Sequence, residues 1–200
     1  IMKQSVLSLI MFLISFSLIP AQEWEIFTSA PGSGSHHSYG FSLNGKGYLV
    51  TGSTVQGPSD FFYEYDPVQD SWSVKNAFPG GARSFSIGDV WDNKSYMGFG
   101  VDAFGNYLND LWVWDPETDT WTELAPCPCE GRAHPAFIAH NDHVFVGLGN
   151  NTRNLRDWWV YDINENSWSR AADFPDVERH HPFQFGVGDY VYAGFGHGPS

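Results

Sequence analysis

The chain has 200 residues, of which 42% are hydrophobic and 17% aromatic, while only 16% carry a charge. Its formal net charge of −13 disfavours nucleic acid and anionic membranes as partners, because like charges repel. The same charge either serves solubility alone or favours cations, basic proteins and uncharged ligands such as glycans as partners. The hydrophobic content is sufficient for a packed core.

The first residues are typical of a targeting signal. Lys3 precedes an apolar stretch from Val6 to Ile19, and the small residue Ala21 follows Pro20. This stretch is short for a membrane-spanning helix. We therefore predict a signal peptide over residues 1–21 and a mature chain that is secreted, periplasmic or on the cell surface, with no membrane span once the signal is removed.

The rest of the chain repeats with a period near 48 residues. The tryptophans of the repeat are 48, 49 and 47 residues apart: Trp24, Trp72, Trp121 and Trp168. An aspartate stands six residues before each of the last three: Asp66, Asp115 and Asp162. A glycine recurs at the same interval: Gly52, Gly100, Gly149 and Gly196. Such agreement among independent markers indicates a repeat architecture.

Each repeat has the pattern of four short strands. In the second repeat we predict strands a to d over Arg83–Trp91, Lys94–Phe99, Asn109–Trp114 and Thr120–Leu124. Strand c alternates so that Leu111 and Val113 share one face while Trp112 and Trp114 share the other. A single sheet would leave both of these apolar faces in water. Sheets stacked around an axis bury both, which predicts an all-β propeller of four-stranded antiparallel blades.

The markers resemble the kelch repeat, in which an apolar strand ends in glycines and an aromatic–Asp–Pro turn precedes a tryptophan. Residues 108–121 and 158–162 carry the clearest resemblance, which extends over about residues 23–200. The family's adjacent glycine pair is replaced here by Gly-x-Gly, as in Gly98-Phe99-Gly100. The resemblance therefore implies a divergent kelch protein of the exported bacterial type.

The repeat also sets the expected organisation of the chain. Residues 22–200 would form an incomplete arc of about three and a half blades. We predict strand d of a closing blade at 23–28, blade one at 35–75, blade two at 83–125, blade three at 132–171 and part of a fourth blade at 179–200. We further expect the chain to continue beyond Ser200, with the remaining blades closing the ring.

The start of strand a carries the candidate ligand-binding residues. In an antiparallel blade the d–a and b–c connections emerge on one face, where variable loops usually carry function. The candidates are His37, Arg83, Arg132, His134, Arg179, His180 and His181. Either they form a pocket for an acidic sugar or a metal, or each repeated arginine bonds carbonyls of the neighbouring blade. His134 and His181 are favoured for function because the second repeat has Phe85 at that position.

No catalytic residue, metal centre or cofactor is assigned from the sequence. Cys127 and Cys129 are the only cysteines, and a bridge between residues two apart is rare. Free thiols, an incidental bridge, pairing with another part of the chain and metal binding all remain open for them.

We therefore expect an exported kelch-propeller binding module that presents its d–a and b–c loops to a glycan or protein. The alternative is an extracytoplasmic carbohydrate-active enzyme resembling a sialic-acid mutarotase, which the arginines at the channel mouth would suit. A copper enzyme resembling galactose oxidase is disfavoured, because no tyrosine and histidine ligand set accompanies the cysteines. A structural role in a larger surface protein is the third possibility.

Overall fold

The computed structural model describes residues 25–198, so Trp24 and the predicted signal peptide lie outside the described residues. Residues 25–198 form strands and turns but no helix. In this range there is consequently no helical segment of the length and apolarity that a membrane crossing requires. The strands are β1 (Tyr39–Leu43), β2 (Lys46–Thr54), β3 (Gly57–Asp66), β4 (Ser71–Val74), β5 (Arg83–Ser84), β6 (Ile87–Trp91), β7 (Lys94–Gly98), β8 (Val101–Asp102), β9 (Leu111–Asp115), β10 (Thr120–Leu124), β11 (Ala136–His140), β12 (His143–Gly147), β13 (Trp158–Asp162), β14 (Ser167–Ala171), β15 (Phe183–Val187) and β16 (Tyr190–Gly194).

These strands form successive antiparallel blades. Blade one runs β1-β2-β3-β4, blade two β6-β7-β9-β10 and blade three β11-β12-β13-β14, while β15 and β16 pair as the start of blade four. The short strands β5 and β8 pair with each other, and β5 joins blade one through Ser59 and Arg83. The strands β1, β6, β11 and β15 lie side by side as the innermost strands of the arc. The predicted all-β architecture with an incomplete arc of blades is confirmed.

The hydrophobic core lies between blades rather than within any one of them. Alternation along β9 shows this directly, because Leu111 and Val113 pack into the cluster shared with blade three. Trp112 and Trp114 of the same strand pack into the cluster shared with blade one. Each large apolar side chain buried in this way contributes roughly 1.5–3 kcal/mol. The two faces predicted for strand c are therefore both buried, each against a different neighbour.

The repeated aspartates cap the turn between strands c and d. The Oδ1 atoms of Asp66, Asp115 and Asp162 each accept a hydrogen bond at 2.9 Å from the backbone N–H two residues on. This is the Asx-turn geometry that favours aspartate at such positions. The aspartate marker is thus explained by local structure alone.

A pair of hydrogen bonds latches neighbouring blades together. Trp168 Nε1 donates to the carbonyl of Ala125 at 2.7 Å, and the N–H of Ala125 donates to Asn166 at 2.9 Å. Thr28 makes the same two bonds with blade one, to Trp72 at 2.9 Å and to Asp70 at 2.8 Å. Thr28 therefore occupies the same position relative to blade one that Ala125 occupies relative to blade three.

Three details differ from the sequence prediction. Residues 25–28 form no strand, so the strand d expected over 23–28 is not found in the part that the structure describes. Among the described residues, no strand c lies beside this segment to pair with it. The segment predicted as one strand from Arg83 to Trp91 is split, because Phe85 has a left-handed φ of 61°. The b–c connection of the first repeat, residues 53–60, is a tight hairpin and not a variable loop, because β2 and β3 extend to within two residues of each other.

The latch is tested by comparing two tryptophans. We expect Trp168→Phe to lower the free energy of unfolding by ~1 kcal/mol more than Trp121→Phe, since only the former loses a hydrogen bond. Trp121 Nε1 is buried and has no hydrogen-bond partner among residues 25–198. Both substitutions remove the same ring atoms, so the difference in urea-unfolding free energy reports the N–H. An equal or larger loss at Trp121 would contradict the latch.

Candidate functional site

Four equivalent residues at the start of the innermost strands share an unusual backbone conformation. His37, Phe85, His134 and His181 have φ values of 55°, 61°, 50° and 53°. A side-chain-bearing residue in this left-handed region costs about 1–3 kcal/mol and persists only where its surroundings hold it. We call these four residues the mouth ring. The same backbone twist in every blade directs four side chains of variable chemistry to one place.

The repeated glycines make room for the mouth ring. Gly100, Gly149 and Gly196 all have positive φ, and a Cβ on any of them would lie within 3.0 Å of backbone next to a mouth-ring residue. The chain can therefore pass this close only where the side chain is hydrogen. The glycine marker of the repeat is explained by the close approach that positions the mouth ring.

The repeated arginines support the scaffold and do not line a pocket. Arg83, Arg132 and Arg179 each donate from Nη1 to the carbonyl sixteen residues on, at 3.2, 3.0 and 3.1 Å. The backbone of Arg83 pairs with Ser59 of blade one, and the backbone of Arg132 bonds to Gly100 and Leu108 of blade two. The side chain of each therefore bonds a carbonyl of the blade that follows.

Carboxylates neutralise the two buried arginines. Arg83 makes a bidentate pair with Asp110 at 2.7 Å, and Arg132 makes one with Asp157 at 2.8 Å. Burial raises the pKa of Asp157, but the hydrogen bonds and positive charge of Arg132, together with a hydrogen bond from Trp159, hold that pKa below its ordinary value. Arg179 pairs with Asp176 instead. The guanidinium groups of Arg83 and Arg132 are thus paired with aspartates and are not available to the carboxylate of a ligand.

The mouth ring lines an open cleft of about 580 Å³. The rings of His134 and His181 are 3.5 Å apart between centroids, and His37 lies 5.4 Å from His134 and 6.2 Å from His181. Phe85 completes the ring, 4.5 Å from His37 and 4.6 Å from His134. The cleft is lined by residues at or just before the start of each innermost strand, none of which is an arginine.

Hydrogen bonds from the b–c loop of blade three orient the imidazoles. Asn150 Oδ1 lies 3.3 Å from Nδ1 of His134, and Asn154 Oδ1 lies 2.8 Å from Nδ1 of His180. His180 thus turns towards this loop, although its ring is only 6.0 Å from that of His134. Of the seven predicted residues, the structure brings His37, His134 and His181 together, with His180 beside them.

The imidazoles of the mouth ring are held neutral at ordinary pH. Burial, together with repulsion from the adjacent His181, lowers the pKa of His134 to about 4. Burial is also the main cause of the lowered pKa of His37 and of His181, with repulsion from neighbouring imidazoles adding to it. Neutral imidazoles present a free nitrogen lone pair as well as a donor to the cleft.

Sequence reasoning did not identify four residues that matter here. Asp110 and Asp157 each directly precede the aromatic strand c, a signal that could have revealed them as arginine partners. Asn150 and Asn154 lie in a loop with no repeated pattern, so only the structure reveals them.

The two cysteines are joined by a disulfide, which settles the alternatives that the sequence left open. Their Cα atoms are 5.1 Å apart, and both side chains are buried in the cluster between blades two and three. Asn109 supports the turn by donating to the carbonyl of Cys127 at 2.7 Å.

A family model supplies the assignment that the repeat implied. The model described as the KLHDC2/KLHL20/DRC7 Kelch-repeats domain matches residues 19–193. The chain belongs to the kelch-repeat family. The divergent Gly-x-Gly turn is therefore a variation within kelch repeats.

Curated kelch relatives are similar over part of the chain. Kelch-like protein 23 of Pongo abelii is 29% identical over 124 residues, which are 60% of this chain and 20% of that protein. N-acetylneuraminate epimerase of Escherichia coli O157:H7 is 28% identical over 108 residues, which are 52% of this chain and 29% of that protein. The chain thus spans less than a third of the length of either relative.

A solved kelch structure has the same fold. The protein described as "Structure of YjhT" superimposes with a TM-score of 0.73 at 16% identity, covering 84% of this chain and 61% of that chain. At this identity the likeness concerns the arrangement of blades and leaves the chemistry of the mouth ring open.

The scaffold role of Arg132 gives a stability prediction. Arg132→Ala leaves Asp157 without its partner and should lower the free energy of unfolding by about 3–5 kcal/mol. The matched control is Arg153→Ala, which breaks an exposed pair with Glu130 and should cost about 0–1 kcal/mol. Denaturant unfolding of both variants measures the contrast. A fully stable Arg132→Ala protein would show that this arginine is not part of the scaffold.

Proposed function

We propose that this chain is an exported kelch-propeller binding module that holds a glycan or protein ligand at the face of its d–a and b–c loops. The observation that carries the proposal is the open cleft at the mouth ring, where a rigid backbone presents three imidazoles and Phe85. Concave sites with aromatic walls and a few polar groups are where small ligands usually bind.

Of the two ligand classes, the cleft favours a glycan. A cleft of about 580 Å³ lies within the size range of small-ligand pockets, whereas stable protein partners need a broad surface. Phe85 offers an aromatic face to a sugar ring, and His37 and His181 offer nitrogens for hydroxyl groups. The net charge of −13 favours a neutral sugar over an acidic one.

An enzyme acting on sialic acid is the second candidate, since N-acetylneuraminate epimerases are among the relatives. Such an enzyme needs a cationic group for the carboxylate of its substrate, and arginines at the mouth of the propeller channel would supply it. Because Arg83 and Arg132 are buried and paired with aspartates, they do not supply a carboxylate site. We therefore favour binding without turnover.

An array of neutral and sialylated oligosaccharides tests the function. We expect neutral glycans to be retained by the wild-type protein and at least tenfold more weakly by Phe85→Ala, which removes the aromatic wall. Val68→Ala is the control, because Val68 is 93% exposed in the β3–β4 turn at the opposite face. Equal retention by Phe85→Ala, or no retention of any glycan, would contradict the proposal. Faster interconversion of the anomers of free N-acetylneuraminate in the presence of the protein, without retention of neutral glycans, would favour the enzyme.

Export is proposed on the sequence of residues 1–21 and is supported by the disulfide, since such bonds persist in oxidising compartments. Mass spectrometry of the protein recovered outside the cytoplasm should give a mature chain beginning at Gln22. Recovery of an exported chain that still contains Lys3 would contradict cleavage of the signal.

A further inference from the structure

The mouth ring contains a cluster of possible metal ligands. His37, His134 and His181 each offer an imidazole nitrogen, and these three atoms all lie within 4.8 Å of one another. They come from three different blades and are separated in sequence by whole repeats, so no local motif marks them as one metal centre. The sequence offered a metal as one possible ligand of seven arginines and histidines, and the structure brings these three imidazoles of that set together.

The central imidazole already has the orientation of a metal ligand. Nδ1 of His134 faces Asn150 Oδ1 at 3.3 Å, and its Nε2 is buried without a hydrogen-bond partner among residues 25–198. A buried nitrogen left unpaired in this way costs free energy. Metal-bound histidines characteristically engage their second nitrogen with an amide, carbonyl or carboxylate oxygen, which fixes the ring. Asn150 occupies that role for His134.

We propose that His37, His134 and His181 bind a divalent transition metal ion of the zinc class, independently of any glycan. Imidazole nitrogens are preferred ligands of Zn²⁺, and three protein ligands leave a fourth position open towards the cleft. Two zinc-bound nitrogens are roughly 3.3 Å apart when each Zn–N bond is about 2.0–2.1 Å. Ring rotation at the exposed His37 and His181 can close the present separation.

The surroundings of the cluster suit a cation. Left-handed backbone and glycine contacts fix the Cα positions of all three ligands, so little chain ordering is needed on binding. Phe85 lies against His37 and His134 as an apolar wall. The acidic chain attracts cations to its surface.

Calorimetric titration of the chelator-treated full chain with Zn²⁺ tests the proposal. We expect one equivalent to bind with a micromolar or tighter dissociation constant, and His134→Gln to weaken binding at least tenfold. His143→Gln is the matched control, because His143 lies on β12 beside Asp162, outside the mouth ring, and should bind as wild type. His181→Gln, at an exposed position, provides a second variant should His134→Gln fail to fold.

The visible spectrum of the Co²⁺-loaded protein adds a second readout. An intense d–d absorption of a four- or five-coordinate ion is expected in wild type and in His143→Gln, and its loss is expected in His134→Gln and His181→Gln. The proposal is overturned by the absence of stoichiometric Zn²⁺ binding, by wild-type affinity in both mouth-ring variants, or by equal weakening in His143→Gln. Glycan retention measured in chelator reports the proposed function alone, so the two failures are distinguishable.

Discussion

The fold depends on one constraint, which is that a blade buries its two apolar faces only against other blades. Trp114 of β9 is buried towards blade one, and Leu111 of the same strand is buried towards blade three. No single four-stranded sheet could shield both. The latch from Thr28 and Ala125 to the following blade adds directional hydrogen bonds to this non-directional packing. Repetition of the sequence is therefore the means by which each sheet obtains its core.

The same stacking explains why scaffold and site meet at one place. Each blade turns sharply at its Gly-x-Gly motif, and a buried arginine such as Arg132 binds the carbonyl exposed by that turn. The turn approaches the start of the inner strand of its own blade, as Gly149 does beside His134, where one residue has a left-handed backbone. The side chain of that residue lines the cleft, so its identity can differ between blades, as between His134 and Phe85. The left-handed backbone is the same in all four repeats, while the side chain at that position differs.

The fold was largely predictable because its markers act locally. Asp115 caps its own turn, and alternation along β9 reveals two buried faces without any knowledge of the neighbours. The site was less predictable, because its contacts join distant positions. Whether Arg83 binds a ligand or a carboxylate depends on Asp110, which follows it by 27 residues with no conserved spacing between repeats. The split of strand a at Phe85 also escaped detection, since a left-handed phenylalanine has no local sequence signal.

Amide hydrogen exchange tests most directly whether neighbouring blades stabilise each sheet. The inner strands β1 and β11 each lie at the edge of a four-stranded blade and pair with a single strand over five residue pairs, so their hydrogen-bond ladders are matched. Among residues 25–198, β11 has a blade on both faces, whereas β1 contacts only blade two and exposes Gly40 and Ser42. We predict that the bonded amides of β11 exchange at least tenfold more slowly than those of β1. Equal protection of the two strands would show that stability arises within each sheet and would contradict the dependence on neighbouring blades.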